Sequence, residues 1–248
     1  MNLLTSKKSW LTAPVLALLG FVVILLLWSV TDPNVFITWF DVGDAGFSPV
    51  EWMTLPLFGL IIPLVWLCPP QSGSTRRQCA WSSLWSLLGV VAIIRETDIH
   101  KIAFAQIWPD IASTFSGTVF KMRFLKSGDV PLPPKLFVLA FFIVFFAAVI
   151  VPLLRYLVPL FRGFFKFEPV AWSAAAFGAV SVFVLTIDRL PANLRKWGVV
   201  NLKEPGHEAG LALCKSLEEG AEMIMATLAL LALLQSYLLF AHKNDRSA

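Results

Sequence analysis

Apolar residues in this chain come in blocks rather than in alternation. Six runs stand out, at 10–30, 53–69, 79–94, 136–154, 170–187 and 220–240. Each is close to the ~20 residues needed to cross ~30 Å of hydrocarbon at 1.5 Å per residue. The second, third and fifth are short, which suits a perpendicular path or an end buried in protein. Unbroken apolar runs predict helices, because lipid offers no partner to exposed backbone groups. The expected fold is therefore all-α. It is a polytopic membrane protein, one domain over residues 1–248, with a bundle of six transmembrane helices and amphipathic segments on its outer face.

The polar intervals are unequal. Between runs one and two, three and four, and five and six lie long charged loops; the other intervals are short. The longest contains Ile102, Phe104, Ile107, Trp108, Ile111, Phe115, Val119 and Phe120 near helical spacing, interrupted at Pro109. That pattern predicts one or two amphipathic helices on the bilayer surface, ended by "PLPP" before run four.

Composition sharpens the class. The 248 residues are 57% hydrophobic and only 15% charged, with mean hydropathy +0.74. A soluble domain carries about 25% charged residues. Lys7 and Lys8 precede the first run as in a secretory leader. That run is long, however, and ends in "SVTDPN" without a small-x-small cleavage pattern, so it is expected to stay as the first span. Three cysteines, with no Cys-x-x-Cys, do not make a disulfide framework and read as small apolar fillers.

Charge then assigns the sides. With the N-terminus cytoplasmic, the inner segments carry nine cations and two acids, and the outer segments eleven cations and fourteen acids. Short inner loops rich in Lys and Arg follow the positive-inside rule. Both termini are then expected in the cytoplasm, and the Lys-rich inner flanks fit a bacterial inner membrane. The basic residues sit at helix ends as topology requires, so nothing points to nucleic acid.

Three polar constellations fall on the outer side. The first is "RETDIHK". On a continuing helix Glu96 and His100 share a face; on an extended chain Glu96, Asp98 and His100 do. The second is "TIDRLP", where Asp188 and Arg189 follow run five and Pro191 is expected to stop the helix. The third is "CKSLEEGAEMIMATL". There Ser216 and Glu219 have the spacing of a capping box, which explains Glu219 as a helix start. Glu218 and Glu222 are i and i+4 on one face. Glu222 lies inside an otherwise lipid-like run, where an ionisable group is costly and marks a functional site by default.

The expected catalytic groups are Glu222, Asp188, His100 and Glu96. A divalent metal is the one cofactor these residue types suggest, with Glu96, Asp98, His100, Asp188, Glu218 and Glu222 as ligands. Arg95, Lys121, Arg123, Lys126 and Arg189 are the expected contacts to an anionic lipid headgroup. The alternative is a salt-bridge network with no chemistry. No HExxH, paired Glu-x-x-His, GxSxG, Walker or Rossmann pattern occurs. Three functions stay open. The foremost is a transport, assembly or accessory component of an envelope system that binds lipids and another membrane protein. The others are a metal-dependent enzyme for a lipid or lipid-linked substrate, and a small proton-coupled carrier.

Overall fold

The computed structural model describes residues 4, 6, 8–40, 48–67, 75–97, 99–115, 119, 122–202 and 204–245, and for some helix positions the main chain only. A 3₁₀ turn, Ser9–Leu11, leads into α1 (Thr12–Val30). Then follow α2 (Pro33–Phe40), α3 (Pro49–Leu67), α4 (Thr75–Glu96), α5 (Ile99–Ile107), α6 (Pro109–Thr114) and α7 (Met122–Lys126). The last three are α8 (Leu132–Phe165), α9 (Pro169–Lys196) and α10 (Glu208–Asp245). There is no strand among the described residues. Four helices begin on proline, whose fixed φ suits the first helical position and whose missing N–H is unneeded there.

Four helices are long and apolar enough to cross a membrane: Ser9–Val30, Pro49–Leu67, Pro169–Lys196 and Glu208–Leu239. The chain is in this sense a helical integral membrane protein. In α4 and α8 the apolar stretches among the described residues are shorter, Trp85–Ile94 and Leu132–Ala147. Large apolar side chains point outward, such as Val30 at 80% and Leu67 at 74% exposure. In lipid that is the expected arrangement, since the solvent itself is apolar.

α10 is the central post, packed against α1, α2, α3 and α9. Without a hydrophobic force between helices in lipid, small residues must let the backbones come close. Here α1 and α10 interlock reciprocally. A Cβ on Gly20 would run into Ile224, and one on Gly220 would run into Ile24. Ala221, Ile224 and Leu228 complete this seam with Ala13, Ala17, Phe36, Val180 and Val184. One buried polar knot joins three segments. The Ser173 hydroxyl donates to Gln235 Oε1 at 2.6 Å, and Gln235 Nε2 donates to the Ser9 carbonyl at 3.3 Å.

Two sequence expectations are corrected. Pro191 does not stop α9; the helix runs through it to Lys196, so Asp188 and Arg189 are helical. Such prolines are tolerated where neighbours re-satisfy the freed carbonyl. Nor is Ser216 a helix cap. α10 starts at Glu208, just after the turn at Gly206, and the Ser216 hydroxyl donates back to the Ala212 carbonyl at 2.7 Å. The first turn is also held by Trp28, whose Nε1 donates to the Ala209 carbonyl at 3.2 Å.

The long loop before α8 forms three short helices, with the expected break at Trp108–Pro109. They do more than lie on a surface. Phe104, Val119 and Phe124 bury themselves against Val130, which precedes α8, and Val138 within it. Phe104 and Phe124 meet edge to face at 5.6 Å.

Candidate functional site

At one end of the bundle a cavity of about 340 Å³ is lined by Glu51, Glu96, His100, Lys101, Glu218, Glu219 and Glu222. Four helices supply these side chains, and each is placed by a local cause.

Glu51 lies in the first turn of α3, where Ser48-Pro49-Val50-Glu51 forms a true capping box. The Glu51 N–H donates to Ser48 Oγ at 3.2 Å, and the Ser48 N–H donates to Glu51 Oε2 at 2.5 Å. Ser48 is fully buried, so the cap is shielded from water.

Glu96 is the last residue of α4. Thr97 closes that helix, its N–H and hydroxyl both donating to the Ile93 carbonyl at 2.9 and 2.7 Å. The chain turns and restarts as α5 at Ile99. Glu96 and His100 are thus neither on one helix nor on an extended strand. A helix, a break and a second helix bring both to the cavity.

His100 is fixed on two sides. Its Nδ1 donates to the Ile94 carbonyl at 3.1 Å, and its ring stacks on Phe141 of α8 at 5.0 Å and 11°. A carbonyl only accepts, so Nδ1 carries the proton. In the neutral form of the ring the lone pair is then on Nε2, the atom type suited to a metal or a proton transfer.

α10 provides Glu218, Glu219 and Glu222 from adjoining turns. Glu218 is ion-paired with Lys215 at 3.0 Å. Glu222 is only 4% exposed. Glu96, Glu219 and Glu222 each present a carboxylate oxygen, and the three lie within 4.8 Å of one another. Were the three ionised together, each pair at that distance would repel by about 3 kcal/mol or more at an effective dielectric of 20. A cation between them, or a shared proton, removes that repulsion. Oxygens on opposite sides of an ion at 2.3–2.6 Å stand about 5 Å apart, so the spacing suits one hard divalent cation.

The cavity therefore gathers Glu96, His100, Glu218 and Glu222 from the residues singled out in the sequence. Asp188 and Arg189 do not line it; both are exposed on α9. Lys126 is exposed on α7 and is also absent from the lining. Asp98 and Lys121 lie outside the described residues, and for Arg95 and Arg123 only the main chain is described.

Two lining residues, Glu51 and Glu219, lie outside the expected site groups. Glu219 was assigned to a cap, yet its spacing of three from Glu222 already put the two on adjoining turns. Glu51 carried the readable "SPVE" pattern of a helix start. Lys101 is one of the cations expected to share a cavity with these acids, and it lines the cavity.

No family model matches the chain, and no curated protein or solved structure does.

Proposed function

We propose that this integral membrane protein holds a divalent cation with Glu96, Glu219 and Glu222, and that it is a metal-dependent enzyme acting on a lipid or lipid-linked substrate. One observation carries the reading: three carboxylate oxygens from two helices within 4.8 Å of one another, in a cavity also lined by His100 and Lys101. The carboxylates suit magnesium, calcium or manganese, and participation of His100 shifts the preference toward manganese or zinc. His100 Nε2 is the group for proton transfer, and Lys101 is the group that attracts an anionic headgroup.

The same reading takes the chain across the membrane six times, with α4 and α8 as the additional spans. Both termini are cytoplasmic, and the cavity sits at the outer leaflet of a bacterial inner membrane. The cation-rich short segments support this orientation. The position of Glu51 at the start of α3 and Glu96 at the end of α4, both at one cavity, supports taking α3 and α4 as neighbouring antiparallel spans.

The exposed apolar side chains of α5, Ile99, Ile102 and Ile107, favour a second reading, a transport, assembly or accessory subunit that presents this face to another membrane protein. The burial of Glu222 within α10 is the feature that would serve a proton-coupled carrier.

Metal analysis separates these readings. The purified protein is stripped with a chelator, reloaded with Mn²⁺ and washed. One retained ion per chain, lost in Glu222→Gln, supports the metal site. No retained ion from any of magnesium, calcium, manganese or zinc sinks it. A stably co-purifying membrane partner together with an ion-free cavity establishes the accessory reading instead.

A further inference from the structure

A second concavity lies on the lipid-facing side, between α1 and α9. It encloses about 450 Å³ and is almost wholly apolar, with Pro14, Ala17 and Phe21 on one wall and Ala175, Ala179 and Phe183 on the other. Its floor is low because α9 places small residues there; Ala175 and Ala179 are exposed.

The two ends of this groove differ. At one end Trp172 and Phe164 stack at 4.4 Å, and Trp10 packs on Trp172 at 4.6 Å and on Phe167 at 5.0 Å. Trp172 Nε1 donates to the Phe164 carbonyl at 3.0 Å, which fixes the rim. Tryptophan rings of this kind mark headgroup depth. Three exposed cations, Lys8, Arg162 and Lys166, flank these rings in the chain, against one exposed acid, Glu168. At the other end Phe21 and Phe183 meet edge to face at 4.9 Å and close the groove. From Trp172 to Phe183 the groove runs about 16 Å at 1.5 Å per residue. One leaflet of a ~30 Å hydrocarbon core is about 15 Å deep.

We propose that this groove binds one acyl chain of an anionic phospholipid, with the phosphate at Lys8, Arg162 and Lys166. The length argues for a lipid over a helix from another protein. A spanning helix needs a seam across both leaflets, whereas this groove begins at a headgroup-level collar and is shut after one leaflet. The cation excess argues for an anionic headgroup, since each Lys or Arg near the surface favours one by about fivefold. This inference does not depend on the acidic cavity at the opposite end of the bundle.

The test uses the full chain reconstituted in nanodiscs of equal phosphatidylglycerol and phosphatidylcholine, then released and measured by native mass spectrometry. The wild type is expected to retain one lipid per chain, with phosphatidylglycerol favoured by about fivefold or more. Lys8→Gln, Arg162→Gln and Lys166→Gln together keep a lipid but lose the preference. Ala175→Leu with Ala179→Leu fills the groove and abolishes retention. Equal retention of the two lipids by the wild type overturns the proposal. So does undiminished retention in the groove-filled variant, or a lipid-free wild type that cross-links as a dimer through α9. The charge variant alters only exposed side chains, so it decides the matter even if the groove-filled variant folds poorly.

Discussion

Glu96 and Glu222, one at the end of α4 and one deep in α10, bring carboxylate oxygens within 4.8 Å of each other. Replacing Glu222 by glutamine keeps the shape and removes one charge. Cation affinity is then expected to fall by more than about 100-fold, beyond the 10–100-fold typical of outer-shell partners. Helical content should stay unchanged, because the repulsion with Glu96 and Glu219 is also relieved. Isothermal titration with Mn²⁺ and circular dichroism on the same sample check both halves. An unaltered affinity with lower stability would instead mark a purely structural carboxylate network.

His100 is held by the Ile94 carbonyl and by Phe141. Phe141→Leu frees the ring without touching the cavity wall. The variant is expected to weaken Mn²⁺ by about tenfold, the low end for a supporting group. His100→Gln should cost more than Phe141→Leu if the imidazole itself contacts the ion. Equal and negligible effects would assign His100 to packing alone.

The capping box at α3 predicts a separable stability effect. Ser48→Ala removes the acceptor for the Glu51 N–H and should cost about 1 kcal/mol. Thermal unfolding in detergent reads this. Adding Glu51→Gln to Ser48→Ala should cost less than the sum of the single changes, because the two groups serve one cap.

At the α1–α10 seam, Gly220→Leu forces a side chain into the place of Ile24. Overpacking of this kind costs about 1–3 kcal/mol. Ile24→Ala in the same chain should restore part of that loss, since it vacates the contested space. If the double variant is as unstable as Gly220→Leu, the clash lies elsewhere. Gly20 and Ile224 form the reciprocal test pair.

The helices were legible wherever apolar residues run without interruption, because such runs have no other stable form in lipid. Their ends were less so. The capping-box spacing puts the start of α10 at Ser216, just before its apolar run, but the helix starts at Glu208. Its first turns are amphipathic and are held by packing and Trp28, which a hydropathy pattern does not register. That error made Glu219 a cap instead of a cavity residue. Glu51 was hidden differently. The site joins four helices that are distant in sequence, and only their packing shows which charged ends meet. Glu222 needed no packing information, because a carboxylate inside an apolar helix is conspicuous by its cost.

The Ser9–Gln235 bond spans 226 positions of sequence. Its acceptor is made long before its donor. During synthesis the segment that opens α1 must therefore stand without this partner until α10 has been made. Gly20 waits in the same way for Ile224. The contacts that gather α1, α2, α3 and α9 around α10 therefore form only once α10 is in place, and a chain truncated before α10 would leave these four helices without their common neighbour.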